Sequence, residues 1–335
     1  MPEMDLNRQA ETIMNLMAAD YDAGGAVFRN FCVGQDSYLH TAWLWDGILL
    51  WANDIHLTRL SYPVTLFDED AYLLLNICHS GRCEVELSPG SFVYMSPGIL
   101  NVSMNPPKSK YYYPGGIYKG IELCFDLRKM REQMPEALTS YGFDLSMLER
   151  FAGKGNVLAM MKSESVQEEE KLFDMLCEGK SSIYSIRFAI LSLLHHLVNG
   201  GAEEFDSRTL VTKGQRRIVT EAEQMMTENF GKRYTIEEMA ARFGISASAL
   251  KKYFSAVYGR PVSQYMREKR MEKAMELLVN TEKSIGEVAL ACGYEHQGKF
   301  GTAFKEFTGI SPLEYRRQNR KSSGYTLMGF DQQVN

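Results

Sequence analysis

The sequence lacks the features that direct a chain to a membrane or to an oxidising compartment. None of its 335 residues lie in a run approaching the roughly 18 consecutive apolar residues that a membrane-spanning helix needs. The first twenty residues mix acids and amides with apolar residues, unlike the basic start and apolar stretch of a signal peptide. Only six cysteines are present, scattered without the dense framework of a disulfide-rich domain. We therefore expect a cytoplasmic protein with reduced thiols and no membrane partner.

Histidine is equally scarce, at six residues, which bears on metal chemistry. The stretch from Pro89 to Asn105 resembles the second cupin motif, but a metal-binding cupin has His where Asn101 stands. The HxH of the first cupin motif is also missing, because His79 has no histidine two residues away. Cys78 and Cys83 flank His79 without a second ligand pair at zinc-site spacing, so buried thiols are the better interpretation. We expect no metal, no cofactor and no catalytic residues, and hence no enzyme.

The net charge of −5 conceals a strongly uneven distribution. Residues 208–321 contain 21 Lys or Arg and 13 Asp or Glu, a charge of +8. The remainder contains 16 basic and 29 acidic residues, a charge of −13. A basic segment joined to an acidic body predicts a polyanion-binding module attached to a part that does not bind polyanions.

The basic segment contains an internal repeat of about fifty residues. IEEMAARFGIS aligns with IGEVALACGYE, and ALKKYFSAVYGRP aligns with KFGTAFKEFTGIS, with one residue added in the turn of the second copy. Each copy predicts a helix, a glycine turn and a second helix, the pattern of a helix-turn-helix. Ala240 and Ala289 should lie where the helices cross, and Gly244 and Gly293 should adopt positive φ. The alternative, an αα-hairpin packed only for stability, is disfavoured because two copies occur in one basic segment.

A continuous helix is predicted between the two copies. Met271, Ala274 and Leu278 form an apolar stripe within Val262–Asn280, and charged residues fill the other faces. A helix before the first copy, at about 215–230, and a last helix that begins at Ser311-Pro312 bring the predicted total to seven.

The closing motif of the segment is GYxxxxxFxxxFKxFTGxSPxxYR. It is carried by Gly293, Tyr294, Phe300, Phe304, Lys305, Phe307, Thr308, Gly309, Ser311, Pro312, Tyr315 and Arg316. With the double helix-turn-helix and the linking helix, it resembles the DNA-binding domain of AraC/XylS-type transcription regulators over about a third of the chain. The resemblance implies that the second helix of each unit enters successive major-groove segments on one face of the duplex, about one helical turn, roughly 34 Å, apart.

The resemblance also assigns the DNA-contacting positions. In the first unit Ser246 is the expected N-cap, and Lys251 and Lys252 could reach guanine edges or phosphates while Leu250 and Phe254 turn inward. The predicted DNA-binding residues are Ser246, Ala247, Ser248, Lys251, Lys252, His296, Gln297, Gly298, Thr302 and Lys305.

The second unit departs from the family pattern. The family usually has Asp at the position of His296, Ser at Gly298 and Gly301, and Arg at Thr302. Two glycines inside a helix each cost about 1 kcal/mol relative to Ala, and the missing Arg removes a strong base or phosphate contact. Two hypotheses follow: the second unit reads DNA weakly, by close backbone approach and Gln297, or it orders fully only on the duplex.

The acidic body begins with short β-type runs separated by Gly and Pro between about residues 48 and 127, which predict a small antiparallel barrel or sandwich. We assign residues 1–130 to a cupin-like sensing domain. Aromatic side chains with polar tips, and an arginine on a hairpin turn, suggest a small-molecule pocket, although they suit a barrel core equally. The candidate ligand-binding residues are Trp43, Trp45, Arg82, Tyr111 and Tyr113.

Residues 131–207 are predicted to be a helical linker and dimerisation region. The helix SIYSIRFAILSLLHHLVNG is too apolar for a lone surface helix, so it should pack against a copy of itself or against the barrel. Ile190 and Leu194 are the residues for which both roles, dimer interface and core, are open. Residues 208–321 form the DNA-binding domain, and 322–335 a loose tail.

The sequence therefore predicts an α+β multidomain chain: a cupin-like antiparallel β-barrel, a helical dimerisation region and an all-α domain with two helix-turn-helix units. The expected function is ligand-responsive transcription regulation, with double-stranded DNA, an unidentified small-molecule effector and a second copy of the chain as partners, and RNA polymerase as a further candidate. Two alternatives stay open: an architectural DNA-binding protein without a sensor, and a cupin enzyme fused to a DNA-binding module.

Overall fold

The computed structural model describes residues 12, 13, 15, 16, 28–34, 36–60, 72–104, 111–144, 146, 156–178, 181–204, 210–232 and 234–325. The chain divides into two compact units, Met1–Lys213 and Gly214–Asn335. Parts of two sequence predictions lie outside the described residues: the tail from 326 onward and the linker at 205–207.

The first unit is rich in β-structure, as predicted, and most of its strands form one antiparallel sheet. The strands are β1 (Phe28–Val33), β2 (Ser37–Trp45), β3 (Ile48–Ile55), β4 (Arg59–Leu60), β5 (Tyr72–Gly81), β6 (Cys83–Ser88), β7 (Ser91–Met95), β8 (Ile99–Met104), β9 (Tyr111–Tyr112), β10 (Tyr118–Asp126), β11 (Asn156–Met161), β12 (Ala202–Glu204) and β13 (Val211–Thr212). The main sheet has the order β1-β2-β3-β10-β5-β8-β11-β12, β13-β7-β6 form a second sheet, and β4 pairs with β9.

The central strand β10 separates two hydrophobic cores. Ile121, Leu123 and Phe125 lie in one, here called the helix-side core. Tyr118 and Cys124 lie in the other, the inner core, because successive side chains of a strand point to opposite faces. Both faces of β10 are therefore covered, and the strand is buried along nearly its whole length.

The described part of the first unit includes the α-helices α1 (Leu127–Glu132), α2 (Glu136–Ser140), α3 (Ser163–Glu178) and α4 (Ile183–His196). Leu172 and Leu176 of α3 pack with Ile190 and Leu194 of α4 in the helix-side core. Ile190 is fully buried and Leu194 is 3% exposed. Of the two roles left open for Ile190 and Leu194, the structure shows the core.

The described strands do not close into the single cupin-like barrel that the sequence suggests. The main sheet ends at β1 on one side and at β12 on the other. Helices α3 and α4 bury one face, and the smaller sheets bury the other, so both faces are covered without closure. Strands β11 and β12 also arise within 131–207, where the sequence predicts only helices, and they extend the main sheet beyond β8.

The second unit consists of the seven helices predicted for it, within the described residues. They are α5 (Lys213–Glu228), α6 (Ile236–Arg242), α7 (Ala247–Tyr258), α8 (Val262–Asn280), α9 (Ile285–Ala291), α10 (Gln297–Thr308) and α11 (Pro312–Tyr325). The linking helix α8 has the predicted bounds. No helix in the described part of the chain has the length and apolar character that crossing a membrane requires.

The two copies of the repeat begin with the same local device. Thr235 and Glu238 form a capping box before α6, and Ser284 and Glu287 form one before α9. In each, the hydroxyl accepts from the third backbone N–H of the helix and the carboxylate accepts from the N-cap N–H, at 2.7–3.2 Å. Four backbone donors are thereby satisfied, which fixes the start of both first helices.

Candidate nucleic-acid interface

The first helix-turn-helix unit comprises α6, a short turn and α7. Ala240 is 2% exposed, as its predicted position at the crossing of α6 and α7 requires. Gly244 has φ of 67°, and the N–H of Ile245 donates to the Ala240 carbonyl at 3.0 Å. The turn is thus a left-handed helix cap that redirects the chain into α7.

The exposed face of α7 carries the residues predicted to read DNA. Ser246 is the N-cap, and its hydroxyl accepts from the Ala249 N–H at 3.1 Å, which confirms that part of the prediction. Ser248, Lys251 and Lys252 are exposed, and Ala247 is half-buried. Leu250 and Phe254 are buried on the opposite face, as predicted. One face of α7 is therefore committed to the fold, and the other is available to a ligand.

Aromatic side chains hold α7 in place. The ring centroid of Tyr258 lies 4.5 Å from that of Phe254 and 4.6 Å from that of Tyr265 on α8. The Tyr265 hydroxyl donates to Glu223 Oε1 of α5 at 2.8 Å. Burial raises the pKa of Glu223, and the bond from Tyr265 partly offsets this. These contacts hold α7 against α8, and Tyr265 in turn holds α8 to α5, so the exposed face of α7 is presented by a fixed scaffold.

The second unit repeats this design with α9 and α10. Ala289 is 1% exposed, and Gly293 has φ of 79°, as predicted for the crossing and the turn. The N-cap of α10 differs from that of α7: the His296 side chain makes no capping hydrogen bond, whereas the Ser246 side chain does. His296, Gln297, Gly298, Thr302 and Lys305 are all exposed. The predicted contact residues thus share the accessible face of α10.

Helix α10 is continuous through both of its unusual glycines. A Cβ built at Gly298 or at Gly301 meets no atom within 4 Å. Phe300 and Phe304 on the other face are fully buried, and they anchor the helix despite its low intrinsic propensity. Packing within the unit therefore does not require glycine at either position. Either contact with a partner requires glycine there, or nothing does.

Gly301→Ala should stabilise the second unit by roughly 0.5–1 kcal/mol, because alanine favours the helix and restricts the unfolded chain. Urea unfolding of the full chain measures this, with Gly298→Ala as the matched change. If the glycine backbone approaches DNA closely, the same variant should also bind its DNA site less tightly. A variant that is no more stable and binds normally would show that the glycines have neither effect.

Part of the closing motif serves the fold. Phe304 packs edge-on against Tyr315, with centroids 5.4 Å apart, and Tyr294 packs on Phe300 at 5.5 Å. Arg316 donates from Nε to the Leu278 carbonyl at 3.1 Å and from Nη2 to the Lys283 carbonyl at 2.5 Å. Carbonyls at a helix C-terminus lack intrahelical partners, so Arg316 caps the end of α8.

Ion pairing distinguishes the cations of this unit. Those on α8 are largely neutralised within the fold: Lys269 pairs with Glu272, and Lys273 with Glu276. Among the described residues, the lysines on α7 and α10 form no ion pair; these are Lys251, Lys252, Lys299 and Lys305. The second helix of each unit therefore carries exposed lysines that are available to contact phosphates.

Lys299 was missed by the sequence analysis. It is exposed beside Gly298 near the start of α10. The repeat aligns it with Ala249, which suggests no contact, and the usual family positions do not include it. Its exposure and charge add it to the candidate DNA-binding residues of the second unit.

The candidate ligand-binding residues of the first unit do not all converge. Trp43, Tyr111 and Tyr113 lie in the inner core. Trp45 lies in the helix-side core instead, with the Arg187 guanidinium 5.6 Å from its ring centroid. Arg82 donates from Nη2 to the Tyr94 carbonyl at 3.1 Å, so a main-chain contact already engages it.

A buried polar chain, which no local sequence pattern predicts, lies on the inner face of the main sheet. The Tyr118 hydroxyl donates to Asn76 Oδ1 at 2.6 Å, and Asn76 Nδ2 donates to Glu122 Oε1 at 3.2 Å. Burial raises the pKa of Glu122 to about 7. The ring of Tyr113 stacks on that of Tyr118 with centroids 5.0 Å apart. This contact connects the buried polar chain with one of the aromatic residues predicted to bind a ligand.

The side chains of Cys78, His79 and Cys83 do not converge on one point. Cys78 and Cys83 lie in the inner core, and burial raises the pKa of the Cys78 thiol to about 12. His79 points to the other face, where its Nδ1 lies 3.2 Å from Glu169 Oε2 and its ring stacks on Phe173. Within the described residues, no cluster of three metal-ligating side chains occurs.

Comparison with known proteins matches the second unit. Residues 239–318 match the family described as "Helix-turn-helix domain". The chain is 33% identical over 107 residues to the HTH-type transcriptional regulator ArgR of Pseudomonas aeruginosa, covering 32% of each chain. It is 35% identical over 85 residues to the HTH-type transcriptional activator RhaR of Pectobacterium atrosepticum, covering 25% of this chain and 30% of RhaR. The matches thus span about a third of the length of these relatives.

Two solved structures are each similar to about a third of the chain. The C-terminal domain of AraT, a response regulator from Geobacillus stearothermophilus, is 37% identical with a TM-score of 0.29, over 30% of this chain and 84% of that one. A transcriptional regulator from Chromobacterium violaceum, with an AraC-type DNA-binding domain, is 31% identical with a TM-score of 0.30, over 32% and 95%.

Proposed function

We propose, from the AraC-type helix-turn-helix domain that the second unit carries, that this chain is a sequence-specific regulator of transcription that binds double-stranded DNA. The observation that carries the proposal is the set of lysines on α7 and α10 that form no ion pair among the described residues. Each projects from a helix whose opposite face is buried. That arrangement supports insertion of both helices into successive major-groove segments.

The proposed division of labour follows from side-chain chemistry. Lys251 and Lys252 on α7 contact guanine edges or phosphates, and Ser246, Ala247 and Ser248 lie at the start of that helix against the groove. On α10, Gln297 supplies a bidentate base contact, and Lys305 supplies charge. His296, Gly298 and Thr302 complete the second surface.

DNA affinity should depend strongly on salt, because each phosphate contact releases condensed counterions. We expect a fall of at least about tenfold between about 50 and 200 mM salt, measured by fluorescence anisotropy of a labelled duplex. Affinity that is equal at both concentrations would contradict a phosphate-binding surface.

Lys251→Ala or Lys252→Ala should cost about 1–3 kcal/mol of specific binding if the residue reads a base. Lys273→Ala is the matched control, because Lys273 pairs with Glu276 on α8, away from the predicted surface. Equal weakening on all sequences would make the two lysines phosphate contacts. Normal affinity in both variants would remove α7 from the interface.

We further propose that the first unit is a sensor whose inner core binds a small-molecule effector. The polar chain around Glu122 supports this over an architectural protein without a sensor, because a core that serves only packing gains nothing from a buried carboxyl group. The relatives' names, which are those of transcriptional regulators, favour both proposals over a fused enzyme. A thermal-shift screen tests the sensor, since a true effector raises the unfolding midpoint by mass action.

A second copy of the chain is the proposed partner of α4, and RNA polymerase is a further proposed partner of the regulator. On α4, Tyr184 and Phe188 are 75% and 64% exposed, one helical turn apart. Two aromatic side chains at this spacing form an apolar stripe that a symmetry-related copy could cover.

Replacing both Tyr184 and Phe188 with Asp should therefore convert a dimer into folded monomers, as measured by sedimentation. Leu313→Asp is the control, because Leu313 is 66% exposed on α11 and should leave the dimer intact. Sedimentation of the unmodified chain as a monomer at high concentration would contradict dimerisation.

A further inference from the structure

The second unit contains a cavity of about 670 Å³ that DNA recognition does not explain. It is lined by the end of α5, the segment before α6, α7 and the first half of α8. A volume of several hundred Å³ is typical of sites for small organic molecules.

The floor of the cavity is apolar and well shielded. Met226, Val262 and Met266 line it, and each is no more than 8% exposed. Ile236 contributes a further apolar side chain. Methionine side chains adapt to ligands of irregular shape, so this floor suits a compact apolar body.

Positive charge surrounds this floor. Lys232, Lys251 and Arg270 line the cavity, and among its described lining residues none is acidic. The first turn of α8 also lines it, and Pro261 supplies no side-chain cap to that helix, so the positive end of the helix dipole faces the same space. An occupant with a negative group would be favoured over a neutral one.

We propose that this cavity binds a small organic carboxylate with an apolar ring system, and that its occupancy competes with DNA. The carboxylate lies among Lys232, Lys251 and Arg270, and the ring system covers the methionine floor. Competition follows because Lys251 projects from α7, where the proposed function assigns it to DNA. This part of the inference rests on the proposed function, whereas ligand binding in the cavity does not.

The test uses the full chain labelled with ¹³C at the methionine methyl groups and titrated with 1-naphthoate. The expected result is saturable shifts of the Met226 and Met266 signals, assigned by Met→Leu substitution. The neutral isostere 1-naphthamide should shift them much less at equal concentration. Absent shifts, or equal shifts with both compounds, would overturn the site.

Variants separate charge from shape. Lys232→Glu should weaken naphthoate binding about tenfold, the loss of one favourable charge contact. Ser263→Trp should abolish it by filling the space, because Ser263 lines the cavity from α8. Lys283→Glu is the control, since Lys283 is exposed in the same unit but does not line the cavity. Equal loss in the control would reduce the effect to net charge and overturn the site.

The competition is measured separately, with a labelled mixed-sequence duplex. Saturating naphthoate should weaken DNA binding about tenfold, the expected loss of one lysine contact, and Ser263→Trp should remove this effect. Unchanged DNA affinity with an occupied cavity would overturn the competition. If the chain bound no duplex at all, the proposed function would fail, and the methionine signals would still decide whether the cavity is a site.

Discussion

Replacing Gly293 with alanine should destabilise the second unit by more than about 3 kcal/mol. Its φ of 79° is left-handed, which costs an L-residue about 1–2 kcal/mol. A Cβ at this position would also lie 2.2 Å from the Phe230 carbonyl oxygen, and backbone cannot move aside as a flexible side chain can. The midpoint of thermal unfolding, followed by circular dichroism, should fall by more than about 10 °C.

Gly244→Ala is the matched control for Gly293→Ala. Gly244 occupies the equivalent turn of the first unit with φ of 67°, but a Cβ there meets nothing within 4 Å. It should therefore cost only the conformational strain of about 1–2 kcal/mol. Equal destabilisation by the two substitutions would show that the contact with Phe230 does not matter.

Ile190→Asp should unfold the first unit. Ile190 is fully buried in the helix-side core, where an aspartate would place an unpaired charge in an apolar environment and lose the packing of the isoleucine. A cost of more than about 4 kcal/mol is expected, approaching the whole stability of many domains. The measurements are soluble yield and urea unfolding of the full chain.

Phe188→Asp makes the same chemical kind of change two residues away on α4. Because Phe188 is 64% exposed, this variant should keep the fold and affect only association. If Ile190→Asp instead gave a folded monomer, the packing of α4 on the main sheet would be wrong, and the helix would be an interface on its core-facing side.

The second unit was largely predictable because its fold depends on short-range patterns. Apolar residues at helical spacing define α8, and a serine before the second helix and a glycine in the turn mark the limits of the first repeat. Duplication of the pattern gave the turn positions, Gly244 and Gly293, without any long-range information. The exposed faces then followed from helical geometry.

The first unit was less predictable because several of its strands depend on distant partners. The segment NVLAMM of β11 contains Leu, Ala and Met, which favour helices, and it becomes a strand by pairing with β8 more than fifty residues earlier. The buried chain that contains Glu122 likewise joins β10 and β5, which are far apart in the sequence. Neither contact leaves a local signal.

Two basic residues show the same limit within the second unit. Arg316 is known from the sequence only as a residue of the closing motif, yet in the structure it caps α8 nearly forty residues upstream. Lys299 aligns with an alanine in the repeat, yet it is exposed on α10. Basic residues of the same segment thus have different roles. Each role depends on which carbonyl and carboxylate groups the fold brings close to the side chain.

The most direct test of the central claim is selection of duplexes from a random-sequence library by the full chain, followed by sequencing. If α7 and α10 read successive major-groove segments, the selected sites should contain two conserved blocks with centres about 10–10.5 base pairs apart. Repeating the selection with Lys251→Ala and Lys252→Ala should relax one block and leave the other. Selected sequences without any conserved block, or with a single block that the lysine substitutions leave unchanged, would contradict the account.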